Sequence, residues 1–172
     1  MYAREGALVT FDLDSTLCDT DHRSHLISRE GGTDWDAYSN ACSGDTPVQG
    51  VVTLVQLLVA GGAEAHALSG RKVSALSQTT EWLEKHSIPI SRVWLDESAQ
   101  GDYVPGQHSH EKYKLARLRE IEKITGRKVV LHIDDWASVA ATFEKAGIPC
   151  VCVRTPREIA DLSAGKVSSA LR

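Results

Sequence analysis

Short apolar runs and helix-like segments alternate along this chain, and that alternation constrains its fold more than any other feature. The runs rich in β-forming residues are predicted strands: Ala7–Leu13, Ala63–Leu68, Arg92–Leu95, Val129–Ile133 and Cys150–Val153. The segments with helical spacing are Val48–Ala60, Val73–His86, His110–Ile124, Trp136–Ala146 and a last short helix that opens at Thr155. This rhythm is typical of α/β proteins and predicts a doubly wound, mostly parallel sheet of five strands.

The bulk composition limits the size and the partners of the protein. The chain has 172 residues, which fits a single domain over residues 1–172, and a net charge of -4. That charge excludes a general attraction to nucleic acid or to an anionic membrane, although a local basic patch is still allowed. The four cysteines have no disulfide-like spacing, and the longest apolar stretch is too short to cross a bilayer. These features predict a cytoplasmic protein with no membrane partner.

One tract interrupts the regular alternation. Residues 18–47, rich in Asp, Ser, Gly and Thr, show neither strand nor helix periodicity. We interpret them as a small cap insertion folded over the edge of the sheet. The remaining connections are too short for a large cap domain, so we expect a fairly open site that suits a polymer end or a nucleotide.

Polar residues follow several of the predicted strands. Asp12 and Asp14 come at the end of the first strand, and Ser69-Gly70-Arg71 follows the second. Asp134-Asp135 ends the fourth strand, and Lys112, with Lys114 close by, lies at the start of the preceding helix. Because ligands of parallel sheets bind beyond the carboxyl ends of the strands, we expect these groups to share one site.

The charges of this group point to a metal and to phosphate. Several carboxylates cannot converge in a partly dry pocket without a cation, because like charges repel strongly there. Mg²⁺ prefers one or two carboxylates together with water and phosphate oxygens. Ser69 and the backbone N–H groups of a helix expected to start after Gly70 suit phosphate oxygens, and a lysine offsets their charge.

Two simpler explanations of the Asp12/Asp14 pair were considered. Turn acids would explain the pair but not the polar residues at the other strand ends. A calcium-binding EF-hand loop beginning at Asp12 fails because Leu17 stands where the loop needs glycine and Arg23 where it needs glutamate.

The same residues resemble the four motifs of the haloacid dehalogenase superfamily of phosphotransferases, in order and spacing. The matching positions are Phe11-Asp12-Leu13-Asp14-Ser15-Thr16, Ala67-Leu68-Ser69-Gly70-Arg71, Lys112 (with Lys114 as the alternative) and Ile133-Asp134-Asp135. The resemblance implies that Asp12 is the nucleophile and that Asp14 is the general acid and base. It also implies that Ser69 binds the phosphoryl group, that Lys112 steadies its charge, and that Asp12, Asp14, Asp134 and Asp135 hold Mg²⁺.

Two positions bear on which member of the superfamily this chain resembles. Dehalogenases lack an acid at the position of Asp14 and ion-pumping ATPases carry threonine there, so the resemblance implies a phosphatase or mutase. Ser15 departs from the family, in which glycine is commonest at that position.

A closer resemblance is to the phosphatase domain of phage and bacterial polynucleotide kinase/3′-phosphatases. It is carried by Ser69-Gly70-Arg71, Glu81-Trp82-Leu83 before Ile88-Pro89, Gly101-Asp102-Tyr103, and Ile133-Asp134-Asp135-Trp136 with Val139. The chain has no phosphate-binding Gly-x-x-x-x-Gly-Lys-[Ser/Thr] loop of a kinase, and Trp136 stands where that group commonly has arginine.

This resemblance implies a substrate, and the residues that we place near it are mainly cations of this sequence. We expect a Mg²⁺-dependent phosphomonoesterase that acts on nucleic-acid 3′-phosphate ends or on nucleotides, with Gly70, Arg71, His22 and Arg23 near the substrate. A 5′-nucleotidase acting on free nucleotides is the alternative enzyme, and a non-catalytic binding module that keeps the fold is the alternative from another class. Trp35, in the cap insertion, is either a core residue or a base-stacking surface.

Overall fold

A computed structural model describes residues 6–27, 33–97 and 109–154 of the chain. The strands are β1 Leu8–Phe11, β2 Cys18–Asp19, β3 Thr46–Pro47, β4 Glu64–Lys72, β5 Arg92–Asp96, β6 Val129–Asp134 and β7 Cys150–Cys152. The α-helices are α1 Trp35–Asn40, α2 Gln49–Ala60, α3 Leu76–Lys85, α4 His110–Thr125 and α5 Ala137–Lys145. Short 3₁₀ turns cover Asp21–Leu26, Ala41–Gly44 and Val73–Ala75.

The main sheet has five strands in the order β5-β4-β1-β6-β7, and every neighbouring pair is parallel. Apolar side chains of α2 and α3 pack on one face of the sheet, and those of α4 and α5 pack on the other. The predicted doubly wound, five-stranded α/β architecture is therefore confirmed.

Strand β1 lies at the centre of the sheet and is buried on both sides. Leu8 belongs to the core under α4 and α5, whereas Val9 and Phe11 belong to the core under α2 and α3. The chain leaves β1 for β4 on one side and later returns to β6 on the other. The carboxyl ends of β1 and β6 thus form the switch point at which doubly wound sheets bind their ligands.

The second half of β4 differs from the sequence prediction. The strand continues through Ser69, Gly70 and Arg71 to Lys72, and α3 begins only at Leu76. The pairing with β5 shifts register between Leu68 and Lys72, so this end of the strand is irregular. The helix predicted over Val73–His86 begins with the 3₁₀ turn Val73–Ala75 and continues as α3, so the first turn after Gly70 is not α-helical. The helix predicted at Thr155 and the tract Gly101-Asp102-Tyr103 lie outside the described residues.

The described part of residues 18–47 forms a small layer beside the sheet. Strands β2 and β3 pair antiparallel at its base, and α1 with two 3₁₀ turns lies between them. The ring of Trp35 meets that of Tyr38 edge to face at 5.8 Å and the residue is half-buried, so both interpretations of Trp35 stay predictions. The indole of Trp82 on α3 donates a hydrogen bond to the backbone oxygen of Asp45 and ties this layer to the main domain. The assignment of residues 18–47 as a cap stays a prediction.

Among residues 6–27, 33–97 and 109–154, no helix combines the length and the apolar character needed to cross a membrane.

Candidate active site

The acids at the ends of β1 and β6 meet at the switch point. Phe11 is in register with Ile133, and the N–H of Asp12 donates to the Ile133 carbonyl at 2.8 Å. This pairing sets Asp12 beside Asp134, the last residue of β6. One carboxylate oxygen from each of Asp12, Asp134 and Asp135 lies within 4.8 Å of the others, and all three residues are buried. We call these three residues the acidic centre.

The lysine that reaches the acidic centre is Lys114. Its Nζ lies 2.6 Å from Asp12 Oδ1 and 2.6 Å from Asp134 Oδ2, and the side chain is fully buried. The expectation that Lys112 has this position is corrected by the structure, since Lys112 is exposed. Helix α4 begins at His110, and residues two apart on an α-helix point to different sides.

Within the acidic centre, the pKa values of Asp12 and Asp134 are shifted in opposite directions. Burial raises the pKa of the Asp12 carboxyl above its ordinary value despite the Lys114 ammonium, and the neighbouring Asp134 and Asp14 carboxylates raise it further. Burial acts in the same direction on Asp134, but Lys114 and His132 outweigh it and hold the pKa of Asp134 below its ordinary value.

This charge balance fits a divalent cation. Three buried carboxylates lie together, and Asp12 and Asp134 share the single ammonium of Lys114. Oxygen ligands are those that Mg²⁺ prefers. The pKa of Asp12 is raised mainly by burial, and the neighbouring Asp134 and Asp14 carboxylates add to that effect.

Two side chains brace the acidic centre, and neither was a predicted site residue. Thr16 Oγ1 donates to Asp12 Oδ2 at 3.2 Å and lies 3.4 Å from Asp135 Oδ1. His132 Nε2 is 3.1 Å from Asp134 Oδ2, while its Nδ1 is 2.8 Å from the hydroxyl of Thr10 on β1. The available sequence signal for His132 was a polar residue inside an otherwise apolar strand.

The side chain of Asp14 faces a different group of charges. Its Oδ1 accepts from Arg23 Nη2 at 2.6 Å and from Arg71 Nε at 2.7 Å. Asp45 lies beyond the two arginines and accepts from Arg23 Nε at 2.7 Å and from Arg71 Nη2 at 2.7 Å. We call Asp14, Arg23, Asp45 and Arg71 the arginine–aspartate cluster. It joins the end of β1, the insertion and β4.

The cluster controls the protonation of Asp14. Burial alone would raise the pKa of this carboxyl, but the guanidiniums of Arg71 and Arg23 outweigh it, so the pKa lies below its ordinary value. The oxygens of Asp14 are grouped with Cys18 and Asp45 rather than with the acidic centre. Any role of Asp14 in metal binding therefore falls to its backbone and stays a prediction.

The cations predicted to lie near the substrate differ in burial. Arg23 and Arg71 are almost completely buried, with their guanidiniums engaged by Asp14 and Asp45. The side chain of His22 is 41% exposed, and its Nε2 lies 2.9 Å from Asp45 Oδ1. Sequence reasoning missed Asp45, for which a lone acid in an irregular tract gives no signal.

The other predicted phosphate contacts lie on the irregular end of β4. Ser69 is buried, and its hydroxyl oxygen accepts a hydrogen bond from the Arg71 N–H at 3.3 Å. Gly70 leaves room for a neighbouring ring, since a Cβ added there would lie 3.2 Å from His110 Cε1. The roles of Ser69 and Gly70 in binding phosphate stay predictions.

Solved structures with this arrangement of strands and helices match most of the chain. A chain in the structure of the Pnkp1/Rnl/Hen1 complex matches with a TM-score of 0.66 and 21% identity, over 87% of this chain and 46% of that one. The class C acid phosphatase from Bacillus anthracis matches with a TM-score of 0.62 and 21% identity, over 89% and 68% of the two chains. The D,D-heptose 1.7-bisphosphate phosphatase from B. bronchiseptica, complexed with magnesium and phosphate, matches with a TM-score of 0.61 and 10% identity, over 96% and 90%. This chain shares its fold with phosphatases.

The comparisons define how far that likeness extends. The chain spans less than half the length of the chain it matches in the Pnkp1/Rnl/Hen1 complex. No family model matches the sequence, and no curated protein matches it with significance. At these identities the likeness is one of fold, and it confirms the fold expected from the resemblance to the haloacid dehalogenase superfamily.

Proposed function

We propose that this protein is a Mg²⁺-dependent phosphomonoesterase whose nucleophile is Asp12. The observation that carries the proposal is the position of Asp12 at the carboxyl end of the central strand, between the Lys114 ammonium and the Thr16 hydroxyl. A nucleophile there is rigid and buried, and it lies beside the residues best suited to a divalent cation. Shared fold with phosphatases supports the same reaction.

The reaction we propose has two displacements. A carboxylate oxygen of Asp12 attacks phosphorus, the ester P–O bond breaks, and the alcohol leaves with a proton from Asp14. Water then attacks the aspartyl-phosphate, gives its proton to Asp14, and releases inorganic phosphate and free Asp12. The guanidiniums keep Asp14 ionised, which suits the second step. For the first step, an arriving phosphate dianion raises the proton affinity of Asp14 because like charges repel.

The acidic centre and Lys114 manage the negative charge. Mg²⁺ held by Asp12, Asp134 and Asp135 would supply positive charge to the phosphate oxygens and keep Asp12 ionised. Lys114 holds the Asp12 and Asp134 carboxylates apart at fixed positions. Ser69, at the irregular end of β4, is the proposed hydrogen-bond donor to the phosphoryl group.

We propose nucleic-acid 3′-phosphate ends, or nucleotides, as the substrates. Two observations support this choice: the resemblance to polynucleotide 3′-phosphatases, and a fold shared with a chain of an RNA repair complex. The described layer at residues 18–47 is small, with one six-residue α-helix, and a layer of this size favours a substrate that continues beyond the site.

The test is phosphate release from a panel of esters. Wild-type protein with Mg²⁺ is incubated with 3′-phosphorylated oligonucleotides, 5′-phosphorylated oligonucleotides and 5′-mononucleotides. We expect release from the 3′-phosphorylated ends, its loss in Asp12→Asn, and normal release in Glu84→Gln, which alters an exposed carboxylate on α3. Release from 5′-mononucleotides alone would favour the nucleotidase. Binding of these esters without any release would favour a non-catalytic module.

A further inference from the structure

An exposed aromatic ring lies next to the acidic centre. Trp136 directly follows Asp135, and its backbone N–H donates to Asp134 Oδ1 at 2.8 Å. The residue is 37% exposed, and within residues 6–27, 33–97 and 109–154 it is the only aromatic among the exposed large hydrophobic residues. Trp136 is the residue directly before α5, so the helix start holds its backbone in place.

A second ring braces Trp136 from the opposite side of the site. His110, the first residue of α4, lies with its ring centroid 5.1 Å from that of Trp136 and its plane inclined by 44°. Its Cε1 also approaches the backbone of Gly70, where a Cβ would come within 3.2 Å. The two rings therefore connect the ends of β4 and β6 and the start of α4, which are the elements that carry Ser69, Asp134 and Lys114.

His110 is uncharged in this position. Burial lowers its pKa from the ordinary value to about 3, and the nearby Lys114 ammonium lowers it as well. A neutral imidazole does not bind phosphate as a cation. The exposed indole of Trp136 is therefore the apolar surface beside the charged centre, and a ligand for it should offer a flat group attached to a phosphate.

We propose that Trp136, braced by His110, is a stacking surface for the nucleobase of the nucleotide whose phosphate reaches Asp12. The inference rests on the proposed function and specifies its substrate class further, because a sugar phosphate or a simple alkyl phosphate has no face to stack. Every base has such a face, so stacking gives affinity with little sequence preference. Trp136 would then hold the base and leave the acidic centre to hold the phosphate.

The test compares substrates with and without a terminal base. The substrates are a 3′-phosphorylated oligonucleotide, the same oligonucleotide with an abasic terminal nucleotide, deoxyadenosine 3′-monophosphate and glycerol 2-phosphate. The variants are Trp136→Leu, which removes the aromatic face, and Trp136→Phe, which keeps one. For Trp136→Leu we expect kcat/KM to fall about 10-fold on the base-bearing oligonucleotide, mainly through KM, with little change on the abasic one. Trp136→Phe should retain most of the wild-type value.

The other possible outcomes decide whether Trp136 stacks on a base or has a structural role. An equal loss on all four substrates in Trp136→Leu would overturn the stacking role and indicate a structural one. Equal wild-type kcat/KM on the base-bearing and abasic oligonucleotides would also overturn it. If Trp136→Leu lowers kcat/KM on deoxyadenosine 3′-monophosphate as much as on the oligonucleotide, the result supports stacking, and it extends stacking from chain ends to free nucleotides.

The stacking inference and the proposed function can fail separately. If wild-type protein releases phosphate from none of the esters, the proposed function fails. Stacking is then decided by binding, measured as fluorescence anisotropy of labelled base-bearing and abasic oligonucleotides with Asp12→Asn and with Asp12→Asn/Trp136→Leu. A preference of Asp12→Asn for the base-bearing oligonucleotide that disappears in the double variant supports stacking, and equal affinity throughout overturns it.

Discussion

Two neighbouring clusters of buried charge lie at the carboxyl edge of the sheet, and they differ in charge balance. The acidic centre brings three carboxylates together, and two of them, Asp12 and Asp134, share the single ammonium of Lys114. In the arginine–aspartate cluster, two carboxylates face two guanidiniums, and each guanidinium bonds to both acids. The first arrangement concentrates carboxylates around one ammonium and suits a divalent cation, whereas the second pairs acids and guanidiniums one to one.

This difference assigns different tasks to residues of the same type. Asp12 and Asp14 are separated by one residue, yet their pKa values move in opposite directions: that of Asp12 rises and that of Asp14 falls. The cause is the set of neighbours that each side chain meets. A reaction that needs a metal-dependent nucleophile and a separate proton carrier requires such a division.

The largest expected effect comes from breaking the balanced cluster. Asp45→Ala would leave two buried guanidiniums with only the Asp14 carboxylate between them. Removal of one partner of a buried ion pair typically costs about 3–5 kcal/mol, and we expect a loss of that size in the free energy of unfolding measured with urea. Glu120→Ala, which removes one partner of an exposed pair with Arg117, should cost less than about 1 kcal/mol. Equal losses in the two variants would contradict a special role for the cluster.

The next prediction concerns the unbalanced acidic centre. Mg²⁺ should raise the thermal midpoint of the wild-type protein, corresponding to roughly 3 kcal/mol at 100-fold excess over its dissociation constant. Asp134→Asn should abolish most of that increase, because it removes a carboxylate on which the site depends. The measurement is a thermal melt with and without Mg²⁺, and it needs no substrate. Glu84→Gln serves as the control, and a Mg²⁺ response in Asp134→Asn equal to that of wild type would place the cation elsewhere.

A pair of lysine substitutions tests which cation completes the acidic centre. Lys114→Met should lower kcat by about 100-fold or more, since Asp12 and Asp134 lose the ammonium that lies between them. Lys112→Met makes the same chemical change two residues earlier and should leave kcat within about twofold of wild type, because that side chain is exposed. Phosphate release measured at saturating substrate gives both values. A larger loss of kcat in Lys112→Met than in Lys114→Met would show that Lys112, and not Lys114, acts in the site.

The lysine pair also illustrates how much the sequence could predict. The acids and Ser69 follow apolar runs, and the carboxyl edge of a parallel sheet brings such positions together whatever the details of packing. The choice between Lys112 and Lys114 depended on where α4 begins and how far it is rotated about its axis. Spacing along the chain does not determine that rotation.

The arginine–aspartate cluster was less predictable for a related reason. Arg71 has a motif position, and Arg23 was expected near the substrate only because it is a cation in the insertion. Their pairing with Asp45 depends on how the irregular tract folds back, and no periodicity specifies that path. The second strand was predicted to end at Leu68, but β4 continues to Lys72, where tertiary pairing with β5 overrides the local glycine signal.

The smallest expected effect comes from the turn that joins the two clusters. Ser15 lies between Asp14 and Thr16 with a φ of 61°, a left-handed conformation that glycine adopts without strain. Ser15→Gly should raise the free energy of unfolding by less than about 1 kcal/mol, because the relieved strain is partly offset by the greater freedom of glycine in the unfolded chain.

Ser87 provides the matched control for Ser15. It has a φ of 52° and follows α3, so Ser87→Gly should give a similar gain in stability. The difference should appear in activity: Ser15→Gly loosens the link between Asp14 and the acidic centre and should lower kcat modestly, by about twofold to fivefold, while Ser87→Gly should not. Equal kcat values in the two variants would mean that each cluster holds its own geometry independently of the turn between them.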